Sequence, residues 1–184
     1  SDAKCVYSDG HGYCFSCQTY FPPDAVDESN YTYEYIPFRG VNVEVMRKYK
    51  IQAKIDQDGE PIELGYVYPN GNPKIRHLAT KGFHQLKGRP VDGLFGQDKF
   101  AAGSGDCIVV TEGEHDAASV YQSTGKPAVS VQSSATAFKD CQRNRDYLNS
   151  FARVYLAFDN DAAGRDATRA VAKLFDPIKT YQIK

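Results

Sequence analysis

Two short apolar runs in the second half of the chain each end in acidic residues and lead directly into a helix-like segment. Residues 108–111 precede Glu112, and residues 154–158 precede Asp159 and Asp161. Short runs that are apolar throughout are typical of parallel strands buried on both faces. Because ligands of open α/β sheets bind at the carboxyl ends of the strands, we expect Glu112, Asp159 and Asp161 to converge on one edge of a sheet.

This acidic edge predicts a metal site that handles phosphate groups. Carboxylates repel one another unless a cation lies between them, and oxygen ligands with room for water suit Mg²⁺ or Mn²⁺. The alternative is that Glu112 and Asp116 are acids favoured by a helix dipole, and that Asp159 caps the following helix. An EF-hand interpretation of residues 159–161 fails because the loop glycine and the closing glutamate are missing.

The whole second half alternates between strand-like and helix-like segments. This alternation predicts a mainly parallel sheet with crossover helices. The strand-like segments are residues 107–111, 127–132, 153–159 and 179–184, and the helical ones lie near residues 115–124, 136–149 and 162–175.

The first half predicts a small antiparallel sheet. Residues 42–50 have a helical pattern, and residues 51–55 and 62–68 alternate apolar and polar around a turn at 57–60. A third strand follows at residues 74–78. Since residues two apart share a face of a strand, Lys74 and Arg76 are expected to be exposed side by side.

Positive charge is concentrated in one part of a chain whose net charge is only −1. Residues 74–100 contain six Lys or Arg against two acids, Asp92 and Asp98. Such an excess, interleaved with Phe83 and histidines, suits a groove that tracks phosphates, the alternative being a solvated loop with chance charge. The six basic residues are Lys74, Arg76, Lys81, Lys87, Arg89 and Lys99.

Cys14 and Cys17 have the C-x-x-C spacing of a zinc half-site near the start of the chain. Tetrahedral zinc needs four ligands, and Cys5 and His11 are the only nearby candidates within the chain. A reduced thiol pair or a redox motif is the alternative. Residues 7–14 predict a hairpin that turns at Asp9-Gly10. Five cysteines form no even framework, so a disulfide scaffold is not expected.

The chain divides into four predicted segments. A Pro pair, several acids and no periodicity mark residues 22–30 as a linker. Residues 1–21 precede it, and residues 31–103 and 104–184 follow. No segment approaches the roughly 20 apolar residues needed to cross a bilayer, so we expect a soluble intracellular protein.

The pattern E-G-x-x-D, at residues 112–116, followed by D-x-D-x-x-G, at residues 159–164, resembles the Toprim domain of DnaG-type primases, topoisomerases and some nucleases and recombination proteins. The segment Ser8-Asp9-Gly10-His11-x-x-Cys14-x-x-Cys17 is similar to the second half of the zinc ribbon in the primase half of bacteriophage primase-helicases. Other short segments resemble the RNA-polymerase-like subdomain between them: Arg39-Gly40, Lys74-x-Arg76, Lys81-x-Phe83 and residues 93–96.

The resemblance implies an α+β chain that combines a partial zinc ribbon, a small antiparallel basic subdomain and an α/β Toprim domain. It also implies a piece truncated at both ends, because the family has another C-x-x-C upstream and further acids downstream. The implied setting is the cytoplasm of a bacterial host, with a replicative helicase and a DNA polymerase as fused or separate partners.

The implied activity is that of a DNA primase, which makes short RNA primers from ribonucleoside triphosphates on single-stranded DNA. Glu112, Asp159 and Asp161 would hold Mg²⁺ and carry the catalysis, with Asp116 orienting a ligand or a water. Gly113 and Gly164 would permit close backbone approach at the strand-to-helix turns. Cys14 and Cys17 would be zinc ligands in an intact ribbon. The residues expected to contact nucleotide or DNA are Arg39, Lys74, Arg76, Lys81 and His11.

Two other functions fit the same motifs. A Toprim-type nuclease would use the same carboxylates for phosphodiester hydrolysis, but it would not need the ribbon and the basic subdomain. A non-catalytic module that binds single-stranded DNA would carry vestigial acids.

Overall fold

The computed structural model describes residues 32–183 and, before them, the backbone of three short strands. These strands, β1 (Lys4–Val6), β2 (Gly12–Cys14) and β3 (Thr19–Phe21), form an antiparallel sheet in the order β1-β2-β3. The pairing of β1 with β2 agrees with the predicted hairpin, although its turn lies outside the described residues. The predicted linker at residues 22–30 also lies outside them.

The first half of the fully described region forms the expected antiparallel sheet, which has five strands in the order β4-β5-β6-β7-β8. Helix α1 (Val43–Tyr49) packs on this sheet and begins at Asn42, whose side chain accepts a hydrogen bond from the Val45 amide at 2.9 Å. The strands are β4 (Thr32–Glu34), β5 (Ile51–Ile55), β6 (Pro61–Val67), β7 (Pro73–His77) and β8 (Phe83–Gln85).

The second half forms a parallel sheet in the order β10-β9-β11-β12, in which β9 and β11 occupy the centre. Consecutive strands are joined by crossover helices, as the alternation in the sequence predicts. The strands are β9 (Cys107–Thr111), β10 (Ala128–Ser130), β11 (Arg153–Ala157) and β12 (Thr180–Gln182). The helices are α2 (Glu114–Thr124), α3 (Ala137–Arg143), α4 (Arg145–Asn149) and α5 (Ala162–Ala172).

Strand β9 is buried on both faces and separates two hydrophobic cores. Val109 belongs to the core shared with α1 and the antiparallel sheet, whereas Ile108 and Val110 belong to the core formed with α3, α4 and α5. This alternation follows from the period of two along a strand. The first core is continuous from the antiparallel sheet to the parallel one, and the Tyr49 hydroxyl crosses it to donate to the Ala128 carbonyl at 2.8 Å.

Cys107 and Cys141 are reduced and buried, which agrees with the expected lack of a disulfide scaffold in this region. Burial raises the pKa of the Cys141 thiol to about 12. None of the helices within the described residues is long and apolar enough to span a membrane.

Candidate functional site

Glu112 and Asp159 lie next to each other at the carboxyl edge of the parallel sheet. Strands β9 and β11 are direct neighbours, with Thr111 opposite Ala157, so the residues that follow them leave the sheet side by side. Glu112 Oε2 accepts a long hydrogen bond, 3.4 Å, from the backbone amide of Asp159. The expected convergence of the two strand ends is therefore observed for this pair.

Two glycines create the space that this edge requires. A Cβ on Gly164 would lie 2.1 Å from the carbonyl oxygen of Asp159, a distance that no side chain tolerates. A Cβ on Gly113 would lie 2.6 Å from Asp116 Oδ2, so the absent side chain leaves room for that carboxylate. The expected close backbone approach is thus observed at Gly164, whereas Gly113 makes room for a side chain.

Asp161 begins helix α5. Its Oδ1 accepts a hydrogen bond from the Gly164 amide at 2.8 Å, which makes Asp161 the N-cap of α5. The alternative that Asp159 caps this helix is therefore wrong. Within residues 32–183, no group of three or more His, Cys, Asp or Glu side chains stands in metal-binding proximity.

Asp116 experiences the negative charge of this edge. Partial burial, followed by the charge of Asp159, raises the pKa of the Asp116 carboxyl above its ordinary value, and Glu114 adds to the effect. Mutual repulsion among carboxylates is the condition that a divalent cation relieves. The charge of Asp159 thus adds to partial burial at this edge.

Lys74 reaches from strand β7 to the same edge of the parallel sheet. Its ammonium donates to Glu114 Oε1 at 2.7 Å and to the Gln132 carbonyl at 2.6 Å. The Tyr68 hydroxyl donates to the same Glu114 oxygen at 2.7 Å. The Lys74 side chain is only 12% exposed, so the expectation that it lies exposed beside Arg76 is wrong for Lys74. Its charge is held in a buried ion pair that joins β7 of the antiparallel sheet to the start of α2.

A cavity of about 350 Å³ opens beside this ion pair, between the antiparallel sheet and the start of α2. Arg39 and Arg76 line it from one side and the α2 residues His115 and Asp116 from the other. Arg76 Nε and His115 Nδ1 are buried, and no hydrogen-bond partner for either is found within the described residues. Burial lowers the pKa of His115, which favours the neutral imidazole. Basic groups and an unpaired donor thus face the space next to the acidic edge.

Phe83 forms an aromatic wall of this cavity. The Lys74 ammonium lies 4.5 Å from its ring centroid and the Arg76 guanidinium 5.3 Å, both within the range of cation–π contacts. The ring is 48% exposed, so part of it faces solvent. An exposed ring flanked by cations is a surface on which a nucleic-acid base can stack.

The remaining predicted binding residues lie apart from the cavity or outside the described region. Lys81 is exposed at a turn with a positive φ of 59°, and it is not among the residues that line the cavity. His11 and Cys17 lie outside the described residues, and only the backbone of Cys14 is described.

The sequence patterns missed Glu114, Tyr68 and His115. Glu114 is one of the two unspecified residues of the E-G-x-x-D motif. Its partners Tyr68 and Lys74 are 46 and 40 residues away in the sequence. In the sequence, Glu114 is visible only as an acid at the first position of a helix. The helix dipole alone favours an acid there, so the position does not by itself indicate a functional residue. Only the tertiary structure distinguishes it from Asp116.

Comparison with known protein families identifies the family that the region around the acidic edge resembles. A family model described as Toprim-like matches residues 109–183, which include the end of β9, α2, β11 and the acidic edge. The α/β fold of these residues is therefore Toprim-like.

Relatives extend the similarity beyond this domain. The DNA helicase/primase of Enterobacteria phage T3 is 30% identical over 213 aligned residues, which cover 95% of this chain and 36% of the relative. The crystal structure of the primase fragment of the bacteriophage T7 primase-helicase protein has a TM-score of 0.66 and 25% identity, covering all of this chain and 85% of that one. This chain thus spans about a third of the curated phage T3 relative and most of the T7 primase fragment.

A second solved structure contains the bacteriophage T7 lagging-strand DNA polymerase interacting with the primase domains of two subunits bound to an RNA/DNA hybrid and dTTP. Its match has a TM-score of 0.70 and 28% identity, covering 87% of this chain and 84% of that one. The chain is thus similar in sequence and fold to these primase fragments and, over about a third of that protein's length, to the phage T3 helicase/primase.

Proposed function

We propose that this chain synthesises short RNA primers from ribonucleoside triphosphates on a single-stranded DNA template. The observation that carries the proposal is the meeting of two surfaces: the acidic edge at Glu112 and Asp159, and the cavity lined by Arg39 and Arg76. Nucleotidyl transfer needs both, because one must hold cations near the reacting phosphate and the other must bind an anionic nucleotide.

Glu112, Asp159 and Asp161 are the proposed Mg²⁺ ligands, with Asp116 orienting a ligand or a water molecule. Support comes from the adjacency of Glu112 and Asp159 and from the charge of Asp159, which adds to partial burial in raising the pKa of Asp116. When bound, Mg²⁺ offsets charge on the reacting phosphate and on the leaving pyrophosphate. Asp161 caps α5 at the same time, which fixes the position of the loop that carries both aspartates.

Arg39 and Arg76 are proposed to bind the triphosphate, and Phe83 is proposed to contact a base. Their positions around one cavity support this division of roles. Lys74 is proposed to act mainly by holding β7 to the start of α2 through Glu114, so that the cavity keeps its shape. Lys81, which is exposed, remains a proposed contact for the template or the primer.

The N-terminal segment is proposed to be part of a zinc ribbon, with Cys14 and Cys17 as ligands and His11 as a template contact. A three-stranded antiparallel backbone at this position is consistent with a ribbon. A replicative helicase and a DNA polymerase are proposed partners, because the relatives are a helicase/primase and a primase domain seen with a polymerase.

The test is incubation of the chain with labelled ribonucleotides and random single-stranded DNA, with and without Mg²⁺. The proposal predicts short labelled RNA products that require both the DNA and Mg²⁺. Shortening of the DNA without new RNA would identify a nuclease instead. Binding of DNA with neither synthesis nor cleavage would identify a binding module.

A further inference from the structure

The turn that carries Arg39 has a backbone conformation that an arginine does not favour. Phe38 and Val41 exchange two backbone hydrogen bonds, of 3.0 and 2.9 Å, around the two-residue turn Arg39-Gly40. Both turn residues have positive φ, 46° for Arg39 and 82° for Gly40. Such a turn usually contains Asn-Gly or Asp-Gly, and a residue with a longer side chain at its first position persists only where the surroundings hold it.

Helix α2 supplies the groups that hold this turn. Gln122 Nε2 donates to the Gly40 carbonyl at 2.7 Å, and Gln122 Oε1 accepts from the Asn42 amide at 2.7 Å. His115 Nε2 lies 3.1 Å from the Phe38 carbonyl and donates to it. His115 and Gln122 are two helical turns apart and so share a face of α2. One side of this helix therefore fixes the turn at both ends.

The same helix begins at the acidic edge. Asp116 and His115 of its first turn line the cavity that Arg39 also lines, and Gln122 holds the Arg39 turn about two helical turns further along. The position of the Arg39 backbone relative to the start of α2 is thus set by a single helix. A side chain held in this way reaches a bound anion without first losing backbone freedom.

We propose that Gln122 is a positioning residue that directs Arg39 at the triphosphate of the incoming nucleotide. The inference rests on the proposed nucleotide site, and it assigns to Gln122 no contact with the nucleotide itself. Gln122 is exposed on the surface of α2, and both of its amide atoms are occupied by backbone groups of the turn.

The test is a double-mutant cycle on the binding of inorganic tripolyphosphate in Mg²⁺ buffer, followed by calorimetry. We expect Gln122→Ala to weaken binding about three- to tenfold, the effect of one or two modest hydrogen bonds acting through the turn. Arg39→Ala should weaken it at least as much. The double variant should bind within about twofold of Arg39→Ala alone, because residues that act through one another are not additive. Gln142→Ala, an exposed glutamine on α3, is the matched control and should bind as the wild type does.

Steady-state kinetics distinguish a positioning role of Gln122 from a general loss of folded protein. Gln122→Ala should raise the KM for ribonucleotide by about the same factor as it weakens tripolyphosphate binding and leave kcat within about twofold, the pattern of lost ground-state binding. The variant should remain folded, because the two lost hydrogen bonds lie at the helix surface and alanine favours helix.

Additive effects of the two substitutions would overturn the inference, as would unchanged binding in Gln122→Ala or no measurable tripolyphosphate binding by the wild type. Tripolyphosphate binding requires no nucleotidyl transfer. Coupling between Gln122 and Arg39 in a protein that makes no primers would therefore uphold this inference and contradict the proposed function alone.

Discussion

At the scale of single residues, the ion pair between Lys74 and Glu114 changes how the basic strand should be tested. The side chains are 12% and 4% exposed, and removal of one partner leaves the other charge buried and uncompensated. We expect Lys74→Ala to lower the free energy of unfolding by about 3 kcal/mol in urea denaturation. Lys87→Ala, at an exposed position, should change it by less than about 0.5 kcal/mol.

The buried ion pair also defines the result that would contradict this role for Lys74. A loss below about 1 kcal/mol in Lys74→Ala would show that the pair does not join β7 to α2. Replacing both partners, as Lys74→Met with Glu114→Gln, should cost less than Lys74→Ala, because no buried charge is then left unpaired. Arg76→Ala is the better probe of ligand binding, since Arg76 lines the cavity and its Nε has no hydrogen-bond partner within the described residues.

Asp116 provides a prediction about pH. The pKa of this carboxyl is raised in the folded protein, so the folded state loses stability as pH rises from the ordinary carboxyl pKa to the raised one. Above that window the ionised Asp116 opposes folding while no cation is present. In EDTA, Asp116→Asn should therefore have a higher Tm than the wild type at pH 7.5, and the advantage should shrink near pH 4.

Addition of Mg²⁺ should reverse this order. The wild type should gain more in Tm from Mg²⁺ than Asp116→Asn does, because ligand binding stabilises the folded state and the substitution weakens the acidic edge. Equal Tm values in EDTA at pH 7.5, or equal gains with Mg²⁺, would contradict the electrostatic description of this edge.

At the scale of elements, the turn from β11 to α5 depends on Gly164. A Cβ at this position would meet the carbonyl of Asp159 at 2.1 Å, and the atom in the way is backbone, which cannot rotate aside. We expect Gly164→Ala to destabilise the protein by about 2 to 3 kcal/mol and to displace Asp159 from Glu112, which abolishes the rise in Tm with Mg²⁺.

Gly65→Ala is the matched control for that experiment. The nearest atom to a Cβ on Gly65 is the Gln52 carbonyl oxygen, 3.8 Å away, and the position is in a strand. Its unfolding free energy and Mg²⁺ response should stay close to those of the wild type. A Gly164→Ala variant that keeps the wild-type response would show that the close approach is dispensable.

The sequence predicted the elements that carry strong periodicity and missed those that do not. Strand β9 was expected at residues 107–111, where it lies, because a short unbroken apolar run is typical of a strand buried on both faces. Strands β4 and β8 were missed because each has three residues, all exposed, and so gives no alternation of burial. The segment 136–149, expected as one helix, is two helices with a break at Asn144.

Some residues of the candidate site were likewise predictable from the sequence, and others were not. Glu112 and Asp159 were predicted because they follow recognisable strands, and chain topology brings parallel strand ends together. The cavity was not predictable in detail, because Arg39, Phe83 and His115 come from three separate segments that only the tertiary fold brings together. The metal-binding roles of Glu112, Asp159 and Asp161 remain predictions.

At the scale of the whole molecule, the antiparallel and parallel sheets share one hydrophobic core. They should therefore unfold together in one transition. The chain has 13 tyrosines and no tryptophan, so tyrosine fluorescence reports on both sheets. Urea transitions followed by this fluorescence and by circular dichroism should coincide, and two separated transitions would contradict a shared core.

The hydrogen bond between the Tyr49 hydroxyl and the Ala128 carbonyl tests the same junction. Tyr49→Phe removes the donor and leaves a buried carbonyl, which should cost about 1 to 2 kcal/mol. Tyr33→Phe, at a side chain that is 61% exposed, should be nearly neutral. Equal stabilities of the two variants would show that this bond contributes nothing to the junction.

The central claim is that the carboxyl edge of the parallel sheet performs Mg²⁺-dependent primer synthesis. The most direct measurement compares RNA primer formation by the wild type and by Asp159→Asn on random single-stranded DNA, with both proteins shown to be folded. We predict Mg²⁺-dependent synthesis by the wild type and a loss of more than about 100-fold in the variant, the effect of removing a group that stabilises transition-state charge. Undiminished synthesis by Asp159→Asn would contradict the claim.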